Sequence, residues 1–408
     1  MTEDDFRVVI SAPYPEAAIL NLAKFASARG LLELLVMPSR QLGRTAASIA
    51  IHLPGMKRHR ARLSGHGLPI VPELREIAPW LEIARHSSRL AVMGRLLPSD
   101  MDSYKASFDR ASTRSLQGRL WGDRNALIGM PGASHTLFKN APSGVLKVFH
   151  EVDAHPLARN EILHRLYGDR ASAESVQPGA ADQIARELDL ADVILSPSTI
   201  VTTQLVDNGV PHSKVLQVPF GVDTERFKPV RAPRRQSSMP VLVYVGQISF
   251  RKGIPFLLSA IQGLAVTLNL IGPVVAPELL VDLPDNVNYL GVLSQSGLSD
   301  QFALADGFVF PSVEDNFALV VFEALAAGLP VISTDSVGSS ELLELADGFV
   351  VEAGSSAQLR TAIMKLAPLS WEERTDRADT FRTRTRVSPH VNDWAGYTEL
   401  VFAGLQRR

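Results

Sequence analysis

The second half of the chain alternates short apolar runs with amphipathic stretches. Residues 241–248, VLVYVGQI, are apolar and β-branched without a polar alternation, the pattern of a parallel strand covered on both faces. KGIPFLLSAIQGL follows, with Ile254, Leu257, Leu258, Ile261 and Leu264 at helical spacing. Strands are then predicted in VTLNLIG, NVNYLG, GFVFP, PVIST and GFVVEA, and helices in SGLSDQFALA, SSELLEL and SAQLRTAIMKLA. Strands and helices alternating at this spacing predict a parallel sheet with helices on both faces. The first half repeats the pattern less cleanly. FRVVISA, LLELLVMP, ALIGM, VLKVFHE, DVILSPS and KVLQVPF read as strands, and PEAAILNLAKFASARG and STIVTTQLVDNG as helices. The stretch from Arg40 to Asp123 mixes helical signals and yields no order.

Between the halves lies GVDTERFKPVRAPRRQSSMP, residues 221–240, rich in Pro, Arg and Ser and without a sustained apolar period. It reads as a linker. A chain of 408 residues is too long for one core. The expected organisation is therefore an N-terminal α/β domain over 1–220, the linker, a C-terminal α/β domain over 241–385 and a terminal segment 386–408. The fold class is α/β, with two doubly wound parallel sheets. Ligands of such sheets bind beyond the carboxyl ends of the strands, so two facing domains would make one cleft.

Composition narrows the function classes. At 46% apolar and 21% charged residues the profile is that of a soluble globular protein, and a formal charge of -2 does not suggest a nucleic-acid binder. The absence of cysteine removes disulfides, thiolate nucleophiles and cysteine-held metals, and fits a reducing compartment. MTEDDFRVVI lacks the basic-then-apolar order of a signal peptide. No stretch offers about 18 uninterrupted apolar residues, so no membrane span and a cytoplasmic location are expected. The longest candidate, Phe317 to Ile332, is broken by Glu323, Gly328 and Pro330. One basic run, Lys57, Arg58, His59, Arg60 and Arg62, reads as a solvated face. The sharper alternative is peripheral contact with anionic lipid headgroups at the inner face of a membrane, or with an anionic acceptor.

The chemistry concentrates in VEDNFALVVFEALAAGLPVIST, residues 313–334. Phe317 to Ala327 reads as a helix stopped by Gly328, and it is apolar nearly all round, which marks a buried helix. Glu323 inside it needs donors or a polar ligand, because a lone buried carboxylate is costly. Asp315 lies near the helix start, where unpaired backbone N–H groups favour anions. The plainer alternative makes Asp315 a cap and lets Glu323 reach the surface.

PSVEDNFALVVFEALAAGLPVI resembles the donor-site signature of the retaining glycosyltransferases of family 4, which have the GT-B fold of two Rossmann-like domains. That signature has two acids seven residues apart, here Asp315 and Glu323, ahead of a small-residue run. The family usually has Glu at the first position; here Asp stands there, and Glu314 immediately before it is a rival. Asn316, Phe317, Ala318 and Leu319 replace the usual Gly-Phe-Gly-Leu type of run. The resemblance covers the C-terminal half and reaches back to about residue 145. It implies that Glu323 bonds the ribose of a nucleotide-sugar donor, that Asp315 contacts the donor sugar, and that the amides around Phe317 to Leu319 face sugar and diphosphate.

The second element is YVGQISFRKG, residues 244–253, after a predicted strand and before a helix. Gly246 would let a phosphate approach the backbone, and Lys252 and Arg251 can neutralise a diphosphate. The family usually carries Arg after the Gly; here Gln247 removes that fixed charge. In KVFHEVDAHP, residues 147–156, His150 and His155 follow an apolar strand and so face the cleft in this architecture. Either is a candidate catalytic-site histidine by the resemblance, with His150 favoured. Glu151, Asp153 and His155 are candidates on the acceptor side.

No G-x-S-x-G elbow, H-E-x-x-H or P-loop is present. The resemblance implies no metal and no resident cofactor. It also implies a C-terminal helix, in PHVNDWAGYTELVFAGL, that packs back on the first domain. The implied activity is a hexosyltransferase-type transfer from a UDP- or GDP-sugar to a glycan or lipid-linked acceptor. The alternatives are a catalytically weak nucleotide-sugar binder and another GT-B enzyme, such as a nucleotide-sugar epimerase.

Overall fold

In the computed structural model, the residues described are 6–38, 71–78, 100–119, 121, 125–223, 227–230, 239–346, 348–366, 368–387 and 393–408. The basic run Lys57, Arg58, Arg60 and Arg62 lies outside them, as do most residues of the linker.

The unalternated apolar runs become parallel strands because both faces of each are covered. In the first half the strands are β1 (Arg7–Ser11), β2 (Leu32–Pro38), β3 (Leu74–Ile77), β4 (Asn125–Gly129), β5 (Leu146–His150), β6 (Val193–Ser196) and β7 (Val215–Gln217). They form one parallel sheet in the order β3-β2-β1-β4-β5-β6-β7. Its helices are α1 (Ala17–Ala28), α2 (Met101–Leu116), α3 (His135–Lys139), α4 (Pro156–Tyr167), α5 (Pro178–Leu190) and α6 (Thr199–Asp207). The stretch without a predicted order thus supplies an edge strand, β3, and the long helix α2.

In the second half, β8 (Val241–Val245), β9 (Thr267–Ile271), β10 (Val287–Gly291), β11 (Gly307–Phe310), β12 (Val331–Thr334) and β13 (Phe349–Val351) pair in parallel in the order β10-β9-β8-β11-β12-β13. Around them lie α7 (Ile254–Ile261), α8 (Gln295–Leu304), α9 (Leu319–Ala326), α10 (Ser356–Lys365) and α11 (Trp371–Val387). SSELLEL forms part of a 3-10 segment, Gly338–Ala346, rather than an α-helix.

Each sheet has one place where the strand order reverses, between β1 and β4 and between β8 and β11. Crevices open there because consecutive helices leave to opposite faces. Both sequence motifs fall on the second crevice. The loop after β8 carries Gln247 to Gly253, and the loop after β11 carries Pro311 to Ala318.

The expected helix Phe317–Ala327 starts later, at Leu319. Ala318 before it has a left-handed backbone, with φ 53° and ψ 71°, so the helix cannot extend through it. At the other end Gly328, with φ 76°, stops the helix, and a side chain there would collide with the carbonyl of Arg374.

The last helix, α12 (Trp394–Gln406), lies against the first domain. Phe402 meets Phe6 edge-on at 6.2 Å, and Gly404 sits so close to Leu216 that a Cβ there would force the leucine side chain to shift. Tyr397, fully buried, places its hydroxyl 2.6 Å from Nε2 of His150, and the His150 ring stacks on Phe220 at 5.8 Å. Where the chain leaves the first domain, Gly221 touches the backbone of Trp394, where it returns; a Cβ on Gly221 would lie 2.6 Å from the Trp394 Cα.

Tyr397→Phe removes the partner of a fully buried imidazole nitrogen. We expect it to lower stability by about 1–3 kcal/mol, read as a fall in Tm at neutral pH.

Candidate functional site

The site is assembled from two loops that leave neighbouring strands, β8 and β11. Lys252 and Asp315 meet in an ion pair with both side chains less than a tenth exposed. Asp315 also accepts hydrogen bonds at Oδ1 from the amides of Phe317 (3.1 Å) and Ala318 (2.9 Å). One carboxylate therefore holds the cation of the first loop and fixes the turn that leads into the helix of the second. Burial works against ionising Asp315, but Lys252 and Arg251 outweigh it and hold the carboxyl below its ordinary range. For Lys252, burial and Arg251 pull the ammonium below its ordinary value against the opposing pull of Asp315. Its Nζ also lies 5.6 Å from the centre of the Phe310 ring.

Gly253 lets the first loop reach the second. Its φ is 68°, and a Cβ would stand 1.9 Å from the carbonyl oxygen of Pro311. Gly246 is held by the neighbouring strand β9. Its N–H donates to Ile271 (2.9 Å) and is not free for a phosphate. Its missing side chain makes room for the Tyr244 hydroxyl, which donates to the Gln247 carbonyl at 2.7 Å.

Two further cations gather on Glu314. Arg159 Nε donates to its Oε2 at 2.9 Å, and Arg251 NH1 approaches the same oxygen at 3.4 Å. Arg251 NH2 lies 3.4 Å from Oε1 of the exposed Gln247. Arg159 reaches back to Asp153 at 2.8 Å, and burial, which would weaken its charge, is outweighed by Asp153 and Glu314. Glu314 is buried, and its Oε1 has no partner. Glu323 is half-buried on α9, more open than its apolar neighbourhood suggested. Leu319 opens that helix.

The first domain closes directly onto these loops. Glu174 accepts from the amides of Phe250 (2.7 Å) and Arg251 (2.9 Å), and the Tyr167 hydroxyl donates to the Phe250 carbonyl at 2.8 Å. Ser198 donates to the carbonyl of Asn316 at 2.8 Å, and the Asn316 amide donates to the carbonyl of Val152.

On the first-domain side the two candidate histidines are both buried, and neither meets the Lys252–Asp315 pair directly. His150 lies behind Phe220, which packs on Phe317 at 5.3 Å; its Nδ1 has no partner, and burial lowers its pKa to about 4. His155 precedes α4, its amide donates to Gln204 at 3.2 Å, and burial lowers its pKa as well. Asp153 stays below its ordinary pKa: burial opposes this, but Arg159 and then Lys105 prevail. Glu151, 1% exposed, accepts from the Asp153 amide at 3.1 Å, keeps an unpartnered Oε2, and is pushed by burial up to about 8. Glu16 caps α1 at Ile19 N (3.1 Å) and is raised by burial to about 7.

Arg159 and Glu174, which bridge the two domains, stand out in no sequence pattern, because each is an ordinary charge on a helical stretch. Glu16 carried a weak signal, as a hydrogen-bonding residue just before a helix. Among the described residues no group of three or more His, Cys, Asp or Glu could hold a metal ion, and no helix is long and apolar enough to cross a membrane.

Comparison with known proteins places this geometry. Residues 239–368, which carry both loops, match the model of Glycosyl transferases group 1. That segment is similar to the group 1 glycosyltransferase domain. The chain is similar to a GDP-mannose-dependent alpha-mannosyltransferase of Mycobacterium tuberculosis, 31% identical over 160 residues, covering 38% of this chain and 42% of that protein. It is also similar to the sulfoquinovosyl transferase of Arabidopsis thaliana, 28% identical over 224 residues, covering 51% and 43%. It thus spans less than half the length of each of these two relatives. Over 99% of its length the fold superposes on the Anabaena protein HepE, solved in complex with UDP, covering 100% of that chain with a TM-score of 0.61 at 16% identity. The two facing parallel-sheet domains are the GT-B fold.

Two outcomes follow from the local geometry. Ala318→Gly relieves a left-handed alanine and should raise stability by about 1 kcal/mol, checked by thermal unfolding. Burial raises the Glu151 carboxyl from its ordinary 4.5 to about 8 in the folded protein, so its contribution is complete below about pH 4.5 and is lost as the pH rises through 8. Glu151→Gln should flatten the loss of stability between about pH 4.5 and pH 8, measured by denaturant unfolding across that range.

Proposed function

We propose that the protein is a retaining glycosyltransferase of family 4. It moves a sugar from a UDP- or GDP-sugar to a hydroxyl of a glycan or lipid-linked acceptor. The observation that carries this reading is the buried Lys252–Asp315 pair at the strand-order reversal of the second sheet, with Glu323 one helix away and the first domain closed over it. In the reaction, the bond between the anomeric carbon and the diphosphate oxygen breaks. The acceptor oxygen bonds to the same face, and the acceptor proton passes to the leaving phosphate. Lys252 and Arg251 stabilise the charge that develops on that phosphate. Glu323 bonds the ribose hydroxyls, and Asp315, with Glu314 beside it, orients the donor sugar. Asp153 and His155 line the acceptor side, and His150 supports it from beneath Phe220. No resident metal or cofactor is assigned.

The relatives support the donor class: one is GDP-mannose-dependent, one is a sulfoquinovosyl transferase, and HepE was solved with UDP. A role in glycolipid or polysaccharide synthesis at the inner face of a membrane fits this class. It is part of the proposal, as is any lipid contact through Lys57, Arg58, Arg60 and Arg62.

The test is transfer by the purified protein from a panel of UDP-, GDP- and ADP-sugars, after a thermal-shift screen has chosen the donor. Lys252→Ala should cut kcat by roughly 100-fold or more, and Glu323→Ala should chiefly raise the donor KM. Full transfer by both variants would remove the site assignment. Binding without transfer or hydrolysis would leave a nucleotide-sugar binder.

A further inference from the structure

The cations around the donor loops are unequally committed. Arg159 makes two close contacts, 2.8 Å to Asp153 and 2.9 Å to Glu314. Lys252 is held by Asp315. Arg251 has only two long ones, 3.4 Å to Glu314 and 3.4 Å to Gln247. Its guanidinium is the one among these three that can leave its partners at little cost. Gln247 beside it is neutral, so the loop after β8 has no other cation than Arg251 and the engaged Lys252 to offer a diphosphate.

Glu314 decides whether Arg251 can move. Its side chain is 2% exposed, and a carboxylate that deeply buried must keep a cation. Two are in reach of the same oxygen, Oε2, and they come from different domains. Arg251 belongs to the loop after β8, on the same domain as Glu314. Arg159 belongs to α4 of the first domain, so its 2.9 Å contact exists only while the domains are closed.

Resting on the donor-site reading above, we infer that Arg159 is a positioning residue that frees Arg251 for the donor diphosphate. With the domains apart, Glu314 holds Arg251. On closure Arg159 takes over Glu314 through the shorter contact, and Arg251 is released towards the phosphates. Closure and diphosphate binding are thereby coupled through one carboxylate. The coupling is reciprocal: a diphosphate that draws Arg251 away strengthens the need of Glu314 for Arg159, and so favours the closed form.

The test is calorimetric titration of the full chain with UDP and with GDP, using the wild type, Arg159→Met, Glu314→Gln and the double variant. Arg159→Met should weaken binding of the preferred nucleotide by roughly 10- to 100-fold, because Glu314 then retains Arg251. Glu314→Gln in that background should restore affinity to within a few-fold of the wild type, since no carboxylate remains to hold Arg251. Unchanged affinity in Arg159→Met overturns the inference. So does a double variant no tighter than Arg159→Met, which would make Arg159 a direct phosphate contact or a purely structural residue. If Arg159→Met does not fold, Arg159→Lys keeps the charge without the fork, and rescue of its loss by Glu314→Gln reads the same coupling. A wild type that binds neither nucleotide fails the donor reading itself and the inference with it. A wild type that binds with no difference in the variants fails the inference alone.

Discussion

The ion pair between Lys252 and Asp315 ties the two donor loops into one object. The loops leave adjacent strands and meet only because Gly253 lets the first pass against the Pro311 carbonyl. Asp315 then serves twice, as counter-ion to Lys252 and as acceptor for the amides of the turn that enters α9. Removing either member would leave the other as an unpaired buried charge, a defect of about 3–5 kcal/mol. The left-handed turn at Ala318 is the local cost of bringing both amides onto one oxygen. Fold and chemistry rest here on the same atoms, so a change to the donor site is also a change to the entry of a core helix.

The two domains manage buried acids in opposite ways. In the second domain Asp315 and Glu314 are matched to cations, and Asp315 stays ionised. In the first, acids are matched to backbone amides. Glu187 accepts from Gly132, Ser134 and His135, Asp109 from Thr136 and Leu137, Glu16 from Ile19, and Glu151 from Asp153. Amides offset burial less fully than cations do, and Glu16, Glu151 and Glu187 are all pushed upward, Glu187 to about 7. The second domain thus holds Asp315 in its charged form, while burial pushes Glu16, Glu151 and Glu187 of the first towards the neutral one.

The parallel strands were legible because a strand covered on both faces needs an unbroken apolar run, and VLVYV, GFVF and PVIST have one. Lys252, Asp315 and Glu323 were legible for the converse reason: a charge beside such a run demands an explanation. The start of α9 was not, because apolar periodicity does not report the sign of a backbone φ, and Ala318 looks like an ordinary helical alanine. Arg159 and Glu174 were invisible. Each acts across the cleft, 155 residues from Glu314 in one case and 76 from Phe250 in the other, and nothing local marks a charge whose partner is on another domain. His150 was found at the end of its strand, but its partner Tyr397 lies 247 residues on, which is why a cleft-facing ring turned out to be packed beneath Phe220.

The contact of Gly221 with the backbone of Trp394 bears on how the cleft works. The chain crosses between the domains on the way out and again on the way back, and these two covalent ties lie side by side. Two ties at one place leave rotation about that place as the soft motion and resist sliding, as paired knuckles do in a door hinge. The lever arm then grows with distance from the pivot. Contacts beside it, such as Phe220 on Phe317, change little with the angle, while contacts farther from it open wider.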